Sequence, residues 1–239
     1  MFVLRVRELG GVVSERGDEV LVGDGERVWG DLPYLTPDFV EAWDKIGEMR
    51  PLHVKNFAAF TARLVGVGIC GDELGACMLQ LCKYVLEVEE SPKVELLPAV
   101  TQWFKYCGRK LNRLTVRSVT FQDEPQILPA LASAAGVHKP GFSVARWLFW
   151  RQKVKGFALS DDVELAAEGK RVFVEMMMVG RLTESRLPGE KVYWDKVKEK
   201  MDRLLEERFR TGGRTTVEME DVEHEIDLNW VDAVVTSDA

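Results

Sequence analysis

The residues that could carry out chemistry are few and scattered. His53, His138 and His224 are the three histidines, and they lie far apart in the chain. None falls in a His-x-x-x-His or Glu-x-x-His pattern, which would place two ligands on one helix face. Nucleophilic catalysis needs a base beside a Ser or Cys, and no local spacing supplies one. Cys70, Cys77, Cys82 and Cys107 match no zinc, redox or haem spacing, so we read them as reduced, buried, small hydrophobes. Carboxylates adjoin at 89–90, 123–124, 161–162 and 206–207. Adjacent side chains on a helix point in different directions and make no acid/base dyad by themselves. Asp161 and Asp162 suit a helix first turn, where negative charge meets the dipole. Gly66, Gly68 and Gly71 have the spacing G-x-G-x-x-G, but they stand between two helical patterns instead of a strand and a helix. They read as a helix stop and turn. Met176, Met177 and Met178 read as core. No catalytic residue, cofactor or metal ligand is assigned.

Charge is the sharper signal. The net charge is −7 at pH 7, yet residues 101–155 carry 10 Lys+Arg against 2 Asp+Glu, a net +8. Residues 211–239 carry 1 against 8, a net −7. Lys105, Arg109, Arg113 and Arg117 recur every four residues, which makes one basic stripe along a helix. Arg146, Arg151, Lys153 and Lys155 extend the basic segment. The bland reading is a solvated face whose charges share a sign. The functional one is a patch for a polyanion or an acidic partner, with Lys105, Arg109, Arg113, Arg117, Arg151 and Lys155 as the candidate binding face. Trp103, at the start of the stripe, reads as core.

Helices must position these residues. Ser143 caps a helix over 143–158, with Phe142 and Trp147 at the two positions of a hydrophobic staple. Trp147, Trp150, Val154 and Phe157 form its buried stripe, and Arg151 and Lys155 fall on its other side. Before it, Thr36-Pro37 opens a helix through Trp43, Pro51 a second and Asp72 a third. Ser91-Pro92 caps a long fourth helix whose start Pro98 delays. A short helix fits 127–135, Ser160 caps another, and a last one runs over about 190–210 until Gly212-Gly213 stops it. Residues 1–30 read as β-rich: Phe2, Leu4 and Val6 alternate, and a hairpin turns at Gly17. In the acidic tail, Val222, His224, Ile226, Leu228 and Trp230 alternate as on a strand, with Ile226, Leu228 and Trp230 as its candidate contacts.

Four motifs occur in order: Val28-Trp-Gly-Asp-Leu-Pro-Tyr-Leu35, Asn56-Phe-Ala-Ala-Phe-Thr-Ala-Arg-Leu64, Leu97-Pro-Ala-Val-Thr-Gln-Trp-Phe-Lys-Tyr-Cys-Gly108 and Phe142-Ser-Val-Ala-Arg-Trp-Leu-Phe-Trp150. Together the set resembles an uncharacterised family of filamentous-fungal proteins, domain of unknown function 3632, over about residues 28–180. Residues 1–27 and the tail depart from it. The resemblance implies an α-helical fold and a fungal source, and transfers no catalytic residue.

The expected fold is mainly α: an orthogonal bundle of six to eight helices with a small N-terminal β-hairpin, to which a C-terminal strand can add. The segments are 1–30, β-rich; 31–210, helical; and 211–239, acidic tail. No apolar run approaches the roughly 20 residues of a membrane span, and the N-terminus lacks the pattern of a signal peptide. The expected setting is therefore cytoplasmic or nuclear, with no membrane partner. The favoured function is a non-enzymatic interaction or adaptor protein that binds another protein or a second copy of itself. Its acidic tail would dock beside the hairpin and mask the basic face. The runner-up binds nucleic acid or another anion through 105–117 and 146–155. The third is an enzyme whose site is assembled from residues distant in sequence.

Overall fold

Prolines and polar caps set where the helices begin. A computed structural model describes residues 5, 8, 11–23, 25–28, 30–69, 72–88, 92–121, 128–183, 187–212 and 216–232. Helix α1 is Leu35–Asp44 and α2 is Pro51–Gly66. Helix α3 is Gly75–Leu86 and α4 is Leu97–Val116. Helix α5 is Ala130–Ala134, α6 is Val144–Ala158, α7 is Val163–Thr183, α8 is Glu190–Arg210 and α9 is Met219–Val222. Pro51 and Pro98 sit in first turns, where no intrahelical N–H is needed. Ahead of α4 the chain makes a 3₁₀ turn, Val94–Leu96, so Pro98 does delay the α-helix. Ser143 accepts a hydrogen bond from the Arg146 amide at 3.1 Å and caps α6 as expected.

Other boundaries differ. The α1 N-cap is Tyr34 instead of Thr36. Asp162 takes over from Ser160 as the cap of α7, because its carboxylate accepts from both the Glu164 and Leu165 amides at 3.0 Å. The N-terminal β element is two tight turns in series. Val13 bridges to Glu19 around Gly17 (φ 86°), and β1 (Leu21–Val22) pairs antiparallel with β2 (Glu26–Arg27). The alternation at Phe2, Leu4 and Val6 lies outside the described residues, as do Cys70, Gly71, the carboxylates at 89–90 and 123–124, and the cap Ser91.

The result is a helical bundle with a small N-terminal hairpin. Nine helices occur among the described residues. Seven are of ten residues or more, and α5 and α9 are single turns or little more. The chain divides into two compact units, Met1–Glu175 and Met176–Ala239, with the division inside α7.

In the first unit α2 and α4 form the most extensive helix pair. Gly66 makes their approach close: a Cβ there would lie 2.5 Å from the Tyr106 carbonyl oxygen. Trp43 from α1 stacks on Phe57 (5.1 Å) and tilts against Trp103 (6.0 Å), and its indole N–H donates to Thr61 Oγ1 at 3.2 Å. Trp147 of α6 meets Phe104 of α4 edge-on at 5.3 Å, and Phe142 meets Trp150 edge-on at 6.2 Å. Trp103, Trp147, Trp150, Val154 and Phe157 are all buried, as their spacing predicts.

In the second unit Met176 and Met177 are buried, and the Met177 carbonyl accepts from the Trp194 indole at 3.0 Å. The tail is not a strand. Its described residues form α9 and two 3₁₀ turns, Glu223–Glu225 and Leu228–Asp232, packed on α8. The expected strand beside the hairpin is thus replaced by helical turns. The local chemistry explains it: Glu218 and Asp221 form a reciprocal capping box, which starts a helix without any neighbouring strand.

Candidate functional site

The basic stripe survives folding only on α4. Lys105, Arg109, Arg113 and Arg117 are all exposed. The stripe is undiluted because neither α2 nor α4 contains a single Asp or Glu. On α2 the cations are Lys55 and Arg63, and on α4 they are Lys105, Arg109, Lys110 and Arg113. Lys110 turns off the stripe and pairs with Asp72 at 2.9 Å, with only 11% of its side chain exposed. Arg63 lays its guanidinium over the Tyr106 ring at 4.1 Å, which joins the exposed faces of α2 and α4. Sequence reasoning missed this pair. The signal was available as a lone Arg in the last turn of an acid-free helix. Lys105 also acts on Glu175. Burial pushes that carboxyl above its ordinary value, and the nearby ammonium partly offsets the rise.

Arg151 and Lys155 do not belong to this face. Each is 5% exposed, and Arg146 is fully buried. Helix α6 is covered on both flanks of its aromatic stripe, so positions 146, 151 and 155 are carried inside with it. Arg146 survives there because each of its three guanidinium nitrogens donates a hydrogen bond. Its Nε and Nη2 each donate to Glu87 at 2.8 Å, and Nη1 donates to the Gly141 carbonyl at 2.9 Å. The Trp150 indole donates to the same carboxylate at 2.7 Å. Glu87 is 1% exposed and follows α3 directly, so this ion pair ties the end of α3 to α6. Buried with its hydrogen-bond partners, this ion pair serves to hold the fold. Glu87 was legible in outline, as an acid closing an apolar helix.

In the tail, Leu228 is buried, and Ile226 and Trp230 are half-buried. The Lys196 ammonium sits 5.6 Å from the Trp230 ring. Asp221 holds Arg208 with two bonds, at 2.8 and 3.1 Å, and Glu225 holds Lys200 at 2.8 Å. The cations these two carboxylates cover are therefore on α8, not on the α4 stripe.

The remaining candidates stay apart. His53, His138 and His224 are exposed, on separate segments. Cys77, Cys82 and Cys107 are buried, and burial pushes the Cys107 thiol up to about 12, far from a reactive thiolate. Among the described residues no three His, Cys, Asp or Glu side chains gather as a metal site would require. A shallow strip on α8, from Asp195 to Glu206, is one solvated helix face with Glu199 to Arg203 and Lys198 to Asp202 pairs. Among the described residues no helix is long and apolar enough to cross a membrane.

A family model described as "Protein of unknown function (DUF3632)" matches residues 1–154. The match takes in residues 1–27, which the four motifs alone leave outside, and ends before α7. No curated protein and no solved structure matches the chain.

Proposed function

Given that the chain belongs to the DUF3632 family, we propose that it is a non-enzymatic interaction protein whose α4 stripe binds an acidic segment of another protein. One observation carries this reading: four exposed cations spaced every fourth residue along the acid-free α4 and its C-cap Arg117, in a chain of net charge −7. The row runs for about 18 Å along the helix, the length of a few turns of a partner. A long polyanion is a poorer match. Charges beyond a Debye length of about 8 Å are screened at physiological salt, but the acidic remainder of the chain repels a ligand that extends over it. The setting we infer is cytoplasmic or nuclear, in a fungal source.

The test compares the native chain with Arg109→Glu/Arg113→Glu in a pull-down from native extract. A protein held by the native chain and lost from the variant supports the reading. A partner held equally by both overturns it. Titration with duplex DNA separates the alternative. A log-log salt slope of about −3.6, as four phosphate contacts would give, together with no protein partner, would favour nucleic acid.

A further inference from the structure

Helix α2 and its C-cap Val67 expose apolar side chains that the fold leaves uncovered. Leu52 is 63% exposed, Phe60 47% and Val67 65%. With Asn56 and Arg63 they occupy positions 52, 56, 60, 63 and 67, which lie within an arc of about 80° at 100° per residue. Phe60 is not adrift: its ring sits 5.8 Å from that of Phe39, which in turn lies 5.2 Å from Phe57. A shape-stable aromatic therefore stands at the surface, backed by the core. The Arg63 stack on Tyr106 then connects this apolar row to the cations of α4.

Resting on the function proposed above, we infer that the partner segment is an acidic amphipathic helix laid across α2 and α4. Its apolar row seats on Leu52, Phe60 and Val67. Its carboxylates face Arg63, Arg109 and Arg113. Charge complementarity selects this occupant, because α2 and α4 together present cations and no carboxylate. A neutral apolar partner would desolvate those cations without compensation, and a basic one would be repelled. The separation of the two rows argues against a lipid surface. Membrane-lying helices carry their cations around the helix that bears the apolar residues, whereas here α2 has only Lys55 and Arg63 and the main basic row is on α4. Amphipathic helices in grooves are read through such anchor rows.

The probe is a fluorescein-labelled synthetic peptide of about 18 residues, about 27 Å long as a helix. It carries Leu at i, i+4, i+7 and i+11 and Glu beside them. Its controls are the same residues scrambled, and phosphatidylserine-containing vesicles. Anisotropy with the full chain should show the patterned peptide binding at least about tenfold tighter than the scrambled one. Phe60→Asp and, separately, Val67→Asp should abolish that difference. Arg109→Glu/Arg113→Glu should weaken both peptides. If pattern makes no difference, or if neither Asp variant matters, the apolar seat is wrong and the basic-face reading stands. If neither acidic peptide binds the native chain, both readings fall. Vesicle binding tighter than peptide binding, lost in the Asp variants, would overturn the helix as occupant.

Discussion

Arg146 lies at the centre of a buried charge pair, and its energetics are those of a pair, not of a single residue. Both side chains are out of water, so each depends on the other to offset its desolvation. Removing one partner leaves an uncompensated buried charge. We therefore expect Arg146→Met to cost about 3–5 kcal/mol. The double variant Arg146→Met/Glu87→Leu should recover most of this, since a buried pair replaced by apolar groups is often near neutral. Urea unfolding followed by tryptophan fluorescence gives both numbers. Additive losses in the double variant would show that the two side chains are not coupled. The same logic explains why an Arg predicted on a basic surface sits inside: Glu87, 59 residues earlier, supplies the missing charge.

At the scale of elements, α7 meets the basic stripe through Glu175. Its carboxyl is raised by burial, against the pull of Lys105. A raised folded value means that the native state binds the proton more tightly than the unfolded chain. The stability linked to that proton is complete below the ordinary carboxyl value of 4.5 and is lost as pH rises through the folded value. Glu175→Gln keeps the uncharged form at every pH. It should raise the melting temperature relative to the native chain at pH 7, and the difference should vanish below pH 4.5. A variant less stable than the native chain at pH 7 would mean that the Lys105 attraction outweighs desolvation.

At the scale of the whole molecule, the tail is part of the second unit. Val222, Leu228 and Val231 are buried there, and each such side chain contributes about 1.5–3 kcal/mol when fully buried. Gly189, at φ 84°, has the Val231 carbonyl so close that a Cβ would collide with it. Deleting residues 216–239 should therefore speed amide hydrogen exchange in α8 and leave α2 and α4 protected. Equal loss in all three helices would show that the chain unfolds as one block. The deletion also releases Arg208 and Lys200 from their carboxylates, so tighter heparin binding at low salt is expected even when Arg109 and Arg113 are reversed.

The α4 stripe was legible because exposure of a helix face follows from local periodicity. Lys105, Arg109, Arg113 and Arg117 lie opposite Trp103, Phe104, Cys107, Leu111 and Leu114, which burial claims. The same holds for the starts set by Ser143, Pro51 and Pro98, which are local hydrogen-bond and steric facts. Arg151 and Lys155 went the other way because they fall on covered flanks of α6, while its outer face is left to Ala145, Gln152 and Gly156, and only tertiary packing, that of α3 and α4 included, decides which flanks are covered. The tail shows the same limit. Its period-two alternation suits a strand, but a strand needs an edge to pair with. The chain had within itself a capping box and the cations of α8. Neighbours within a few residues fix the helix starts at Pro51, Pro98 and Ser143 and the uniformly basic face of α4, whereas the helical turns of the tail escape a period-two reading. Tertiary structure decided which cations stay in water and where the acidic tail lies, because both depend on charges and apolar surfaces brought together from distant parts of the chain.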